Sequence, residues 1–318
     1  MSASSGPAMD GSIARPRPFV ALGLRLLTAG ALATMAMLLK LASTRGVHLA
    51  ELVFWRQAIT LVTVTAVLGL LGRLSAIRTQ RFSAHMRRAI YGITGMFFVY
   101  GAVVLLPLAE ATTLSFTAPF FAVLLSVILF KERVGKYRWG AVVLGFAGVL
   151  FLTQPGSSLI DPFGAAVGLI AAFLVALISF QIQDLNKTEA PWSIVFWFAA
   201  LTVPLTAIAM PFVAASHDPT TWAIIVAMAL CGAIAQLLLT ASLRFGSAAV
   251  ILLMDYTALL WATAYGFYVF DTAPPASLWI AAPLIIGAGA LIAWRERLLA
   301  RRKQPIAGQE TKAELTAS

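Results

Sequence analysis

Cysteine occurs once, at Cys231, so the chain can form no disulfide within itself and no cysteine-based metal site. Charge is scarce. Only 11% of residues are Asp, Glu, Lys or Arg, against about 25% in soluble domains. Acidic residues are the scarcer sign, 13 against 23 basic. Catalytic signatures are absent: there is no HExxH, no GxSxG and no phosphate-cradling GxxxxGK[ST] pattern, and His48, His85 and His217 lie near loops in separate segments. These absences argue against an enzyme and against ATP-driven pumping. Polar stretches long enough for an extramembrane domain are also lacking.

What the chain has is apolar length, with 60% hydrophobic residues among 318. About 20 apolar residues cross a hydrocarbon core of about 30 Å as a helix. On that criterion the sequence predicts an all-α polytopic membrane protein with ten spans: 19–42, 48–71, 89–108, 112–130, 139–153, 163–183, 191–214, 221–242, 248–270 and 277–294. Connectors such as "STRG", "QPGSSLIDP", "SHDPTT" and "DTAPP" carry the breakers.

The net charge of +10 is explained by topology rather than by a nucleic-acid partner. Alternate connectors collect Arg73, Arg78, Arg81, Arg87, Arg88, Lys131, Arg133, Lys136, Arg138, Lys187 and Arg244, together with Arg15, Arg17 and the terminal "WRERLLARRK". The opposite connectors hold only Arg45. Basic residues accumulate on the cytoplasmic side, which predicts both termini inside and an even number of spans. Residues 1–18 read as a disordered cytoplasmic tail without a signal-peptide cleavage site, and 295–318 as a basic cytoplasmic tail.

Shifting the chain by about 140 residues lays "TTLSFTAPFFAVLLSVILF" on "LLMDYTALLWATAYGFYVF" and Trp139 on Trp279. The alignment predicts two repeats, 19–153 and 163–294. Five spans in each, an odd number, make the halves inverted.

The segment "LPLAEATTLSFTAPFFAVLLSVILFKERVGKYRWGAVVLGFAGVLFLTQPG", with Pro119, Glu132, Gly145 and Gly148, resembles the signature of the drug/metabolite transporter superfamily in its ten-helix EamA branch. "ELVFWR" (Glu51 to Arg56), "DYTALLW" and "AWRER" are similar to a bacterial subgroup that includes riboflavin transporters and SLC35G-like carriers. In the second repeat "FDTAP" replaces a common Gly-Glu pair, so Asp271 and Thr272 stand at that corner. The resemblance implies ten helices, transport, and substrates ranging from flavins to amino acids and adenosyl compounds.

Asp255 lies alone in an apolar run about 10 Å from the predicted start of its span. A mid-span charge costs roughly 2.5–3.5 kcal/mol on insertion scales and commonly marks a substrate or proton path. Ala258, Ala262 and Tyr265 share its helical face. Tyr256 and Trp261 offer flat surfaces for a ring or a cation, though aromatics are equally ordinary packing. Thr117, Tyr100, Gln181 and Gln236 are further intramembrane polar groups, able to contact substrate or to join helices. Glu51, Arg56 and Lys40 cluster at the predicted periplasmic end, as a polar gate or entrance or as snorkelling side chains. Five residues apart, Glu51 and Arg56 do not face each other, which leaves Lys40 as the expected partner of Glu51. Lys131, Glu132 and Arg133 read as a solvated corner inside, and Glu110 as another outside. Gly145, Gly148, Gly287 and Gly289 are expected to admit close helix packing.

The leading expectation is an inner-membrane secondary carrier for a small organic metabolite, working by alternating access, with membrane lipid as its solvent, protons as a candidate coupled ion and no cofactor. A lipid-carrier flippase and a non-transporting membrane scaffold are the alternatives.

Overall fold

The computed structural model describes residues 18–131, 135–154, 161–245 and 256–317. Asp255, Glu132, Arg133, most of the N-terminal tail and the start of the ninth expected span lie outside the described residues. The helices are α1 (Pro18–Thr44), α2 (Leu49–Leu70), α3 (Phe82–Leu105), α4 (Leu108–Ser115), α5 (Ala118–Phe130), α6 (Lys136–Thr153), α7 (Pro162–Leu185), α8 (Pro191–Ala207), α9 (Met210–Val213), α10 (Pro219–Phe245), α11 (Thr257–Phe270) and α12 (Ala276–Ala317). No strand occurs among the described residues.

Among the described residues, seven stretches are long and apolar enough to cross a membrane, one of them running through α4 and α5. The apolar helices α8 and α11 are shorter. Large apolar side chains such as Leu70, Ile128, Phe212, Leu260 and Trp279 point outward. In water that surface would drive aggregation; in lipid it is the expected coat. The chain is a multi-pass membrane protein.

Proline sets the two breaks inside expected spans. α4 ends at Ser115, four residues before Pro119, and α8 ends at Ala207, four residues before Pro211. In each case the proline cannot return the i→i−4 hydrogen bond to the last helical residue. Asp161 caps α7 through Phe163 N–H and Gly164 N–H. Asp218 caps α10 through Thr220 N–H and Thr221 N–H, and with the Thr221 hydroxyl these donors hold its exposed carboxyl below the usual range.

One boundary differs from expectation with consequences for the site. α3 begins at Phe82, not near residue 89. The basic residues of "AHMRRA" hid these first turns, about two of them, from a hydropathy criterion, and they place Arg88 within the helix rather than in a connector.

Helix pairing runs across the sequence. α1 packs on α10, α3 on α7, α2 on α8 and α6 on α12. Glycines allow the last contact: a Cβ at Gly148 would stand 2.8 Å from Ile285 and 3.3 Å from the Ala281 carbonyl. Gly287, expected to act likewise, faces open space, whereas Gly289 makes room for the Tyr256 hydroxyl.

Two positions repeat one local device. Lys131 (φ 52°) closes α5 by donating its N–H to Ser126 O, and Asp271 (φ 49°) closes α11 by donating to Gly266 O. Both occupy the left-handed region, where a Cβ costs roughly 1–2 kcal/mol. Lys131→Gly is therefore expected to raise stability by about 1 kcal/mol, read as a higher melting temperature in detergent. Asp271→Gly should gain less, because aspartate tolerates this conformation better than lysine.

Candidate functional site

The polar interior gathers in the half of the bundle built by α1, α2, α3, α8 and α10, within a core that includes Met35, Met96, Tyr100, Phe198 and Met228. One end of the bundle carries the basic connectors; the other carries Arg45 alone among those connectors.

At that other end, Glu51 is 1% exposed. Its Oε1 accepts from His217 Nε2 at 3.0 Å and from Trp55 Nε1 at 3.3 Å. Trp55 and Trp222 meet edge to face with centroids 5.0 Å apart, and Arg45 lies 3.9 Å from Asp218 at the rim. The N-terminal turn of α2 favours the carboxylate through the helix dipole, and the His217 connector reaches over to it. This arrangement ties α2 to the start of α10.

Lys40 is not the partner of Glu51, contrary to expectation. Its Nζ donates to the carbonyls of Val103 and Leu106 at the end of α3, where the dipole attracts a cation. It also feels the charge of Glu110, which is buried rather than a solvated corner. The expected gate trio thus divides three ways.

Arg56 goes inward. It is 7% exposed, and its Nη1 donates to Gln57 Oε1 at 2.8 Å and lies 3.7 Å from the Met96 sulfur. Gln57 Nε2 donates to Thr202 Oγ1 at 2.6 Å, and Thr202 donates to the Phe198 carbonyl. The ring of Phe198 in turn lies 4.1 Å from the Arg88 guanidinium. A continuous chain of contacts therefore joins Arg56 on α2 to Arg88 on α3 through α8.

Below Arg88, towards the basic end, stands a second polar cluster. His85 Nε2 is 3.8 Å from Glu189 Oε2, and Glu189 also accepts from Thr79 at 2.7 Å and Ser193 at 3.2 Å. Arg81 pairs with Asp184 at 2.6 Å, and Trp197 donates to the Ile77 carbonyl. A cleft of about 580 Å³ opens here, lined among others by Arg78, Arg81, Thr188, Glu189 and Trp197. Arg81, His85, Arg88, Gly92, Met96 and Tyr100 follow one another at steps of three and four, so a single face of α3 runs from this cleft to the centre.

Of the other expected site residues, Tyr100 lies by Arg56, its hydroxyl 3.7 Å from the Met35 sulfur. The remainder are elsewhere. Tyr256 packs edge to face on Phe116 in the α4, α5, α6 and α12 core. Trp261 stacks on Tyr265, and the Tyr265 hydroxyl is 2.8 Å from Thr34. Thr117 is fully buried and donates to the Leu114 carbonyl. Gln181 has a buried, unbonded Oε1 on α7, and Gln236 is half-buried on α10.

Sequence reasoning missed Gln57, His85, Arg88, Glu189, Thr202 and His217. The available signal was the helical spacing from Arg81 to Tyr100. No group of three or more His, Cys, Asp or Glu able to hold a metal occurs among the described residues.

Fold and site together define a polytopic helical protein with polar side chains buried in its interior. Residues 5–154 match the EamA-like transporter family. A riboflavin transporter of Vibrio cholerae is 28% identical over 79% of this chain and 85% of its own. A pseudopaline exporter of Pseudomonas aeruginosa is 27% identical over 80% and 87%, and an S-adenosylmethionine uptake transporter of Rickettsia bellii 24% over 80% and 87%. A solved crystal structure shares the fold with a TM-score of 0.59 at 24% identity, covering 90% of this chain and 99% of that one. The family match covers the first part of the chain, and over about four fifths of its length the chain is similar to proteins named as transporters.

Proposed function

We propose that the protein is an inner-membrane secondary carrier that moves a small organic metabolite by alternating access, with ten spans in two inverted five-helix repeats. In this reading the basic end and both termini are cytoplasmic. The observation that carries it is the pairing of helices. A shift of about 140 residues exchanges α1 with α7, α2 with α8, α3 with α10, α4 and α5 with α11, and α6 with α12. Under that exchange α1·α10 becomes α7·α3, while α2·α8 and α6·α12 map onto themselves, and all four are major contacts. The caps at Lys131 and Asp271 fall on each other under the same shift.

Closure at the end held by Glu51 and His217, with a cleft at the basic end, fits a cytoplasm-facing state of such a carrier. Glu51 and His217 then form an outer latch, and the face of α3 from Arg81 to Tyr100 forms the route inward. Asp255 keeps its proposed role as a substrate or proton contact in the second repeat, and Tyr256 and Trp261 keep theirs as substrate contacts.

The relatives suggest flavins and adenosyl compounds as first substrates. Proteoliposomes containing the purified protein are expected to take up at least one of riboflavin and S-adenosylmethionine faster than protein-free vesicles, with counterflow from preloaded vesicles. Asp255→Asn should lower the rate at least tenfold while the protein stays folded. Uptake no faster than in protein-free vesicles for flavins, amino acids and adenosyl compounds alike would refute the carrier reading, and unchanged uptake in Asp255→Asn would remove that residue from the site.

A further inference from the structure

Two arginines deep in the bundle have no acidic partner among the described residues. Arg88 is 6% exposed, and its Nε and Nη1 are buried without a hydrogen-bond partner. Arg56 is 7% exposed, and its Nε is likewise unbonded. The two charges interact with each other, so the pair is a concentrated positive centre. Burying such a charge unpaired costs several kcal/mol, and intramembrane cations are accordingly rare and usually paired.

The nearby carboxylates are already engaged. Glu51 is held by His217 and Trp55, Glu189 by Thr79, Ser193 and His85, and Asp184 by Arg81. No ion pair joins either arginine to an acid among the described residues. What surrounds the guanidiniums is neutral: Gln57, the thioether of Met96 and the ring of Phe198. A thioether is a weak acceptor, readily displaced by an oxyanion.

The backbone makes room for both side chains. A Cβ at Gly92 would lie 2.0 Å from Arg88 Nη1 and 2.4 Å from Phe198, and one at Gly232 would lie 3.0 Å from Arg56 Nε. Each arginine thus lies against a glycine on α3 or α10, and the Gln57–Thr202–Phe198 contacts link one to the other. Such a placement suits forked donors awaiting oxygens that carry charge.

We propose that Arg56 and Arg88 form the recognition site for an oxyanion on the transported molecule, a carboxylate or a phosphate. The inference rests on the carrier reading and narrows its substrate class to molecules that carry a carboxylate or a phosphate. The cargo enters from the cleft at the basic end, passes Arg81 and Arg88, and meets Arg56 at the centre. Its charge replaces the missing acid.

The test measures binding of riboflavin, riboflavin 5′-phosphate, inorganic phosphate and succinate to the purified full-length protein, alongside transport in proteoliposomes. Wild type is expected to bind riboflavin 5′-phosphate or succinate at least tenfold more tightly than either Arg56→Gln or Arg88→Gln does. Riboflavin, which is neutral, should bind all forms alike. Preference for riboflavin 5′-phosphate and inorganic phosphate identifies a phosphate site, and preference for succinate a carboxylate site. Arg88→Lys, which keeps the charge and loses the fork, should be intermediate, and melting without ligand establishes that each variant is folded.

Equal anion binding in wild type and the Gln variants overturns the proposal, as does failure of wild type to bind any anion tested. So does a stability loss in Arg88→Gln that Asp255→Asn restores, because the arginines would then be counterions of that carboxylate. Anion binding without any uptake overturns the carrier reading alone, and uptake of riboflavin 5′-phosphate or succinate unaffected by either Gln substitution overturns the anion site alone.

Discussion

Glu51→Ala is expected to open the closed end of the bundle and to lower transport at least tenfold. The carboxylate accepts from both His217 and Trp55, and all three side chains sit where α2 meets the connector before α10. Removing the acceptor leaves two partly buried donors unpaired, a penalty of about 1–3 kcal/mol. That penalty falls on the closed arrangement alone, because water satisfies both donors once the end opens. A shift of this size changes the ratio of closed to open by roughly five- to 150-fold. Ile225 is fully buried on α10, so Ile225→Cys in a Cys231→Ala background reports the opening: labelling by an impermeant maleimide should rise at least tenfold with Glu51→Ala. Glu51→Gln keeps one acceptor oxygen and should rise less. Equal labelling in all three would show that the pair does not hold the end shut.

The second large effect lies in the other core. A Cβ at Gly145 would stand 2.1 Å, 2.2 Å and 2.7 Å from three ring atoms of Phe120. Phe120 is itself fully buried among α5, α6 and α12, and its ring cannot swing aside. Gly145→Ala is expected to destabilise the protein by about 1–3 kcal/mol and Gly145→Leu to prevent folding. Gly287→Ala, with nothing within 4 Å of its Cβ, should be neutral or slightly stabilising through helix propensity. Melting temperatures and the monodisperse fraction in detergent distinguish these cases; a normal Gly145→Leu would show that α5 and α6 do not meet as described.

Much of the fold was legible because lipid demands it. Long apolar runs separated by prolines and glycines mark helices whatever they pack against, and the resemblance around Pro119, Gly145 and Gly148 pointed to the EamA branch. Breaks at Ser115 and Ala207 were hidden inside continuous apolar runs, since hydropathy is blind to the missing N–H of Pro119 and Pro211. The site was legible only in pieces. Arg56 and Tyr100 stood out as polar groups in apolar runs and do lie together. Arg88 did not, because its neighbour Arg87 and the preceding Arg81 made the whole stretch read as a basic connector. The partner of Glu51 lies 166 residues away at His217, a pairing that helical spacing cannot reach, whereas the nearer Lys40 turned to the carbonyl end of α3. Asp255 lies outside the described residues, and its role rests on the transport experiment.

The contact of α6 with α12 also bears on how the chain is made. α6 ends at Thr153 and α12 starts at Ala276, so roughly 120 residues are synthesised in between, a delay on the order of ten seconds at ordinary elongation rates. During that interval Gly148 and its neighbours on α6 face lipid instead of Ile285 and Ala281. The α1 contact with α10 imposes a longer wait of the same kind, and the α3 contact with α7 a shorter one. Neither half completes its packing alone, and the nascent first half must remain in the bilayer as an open set of helices until the last one arrives.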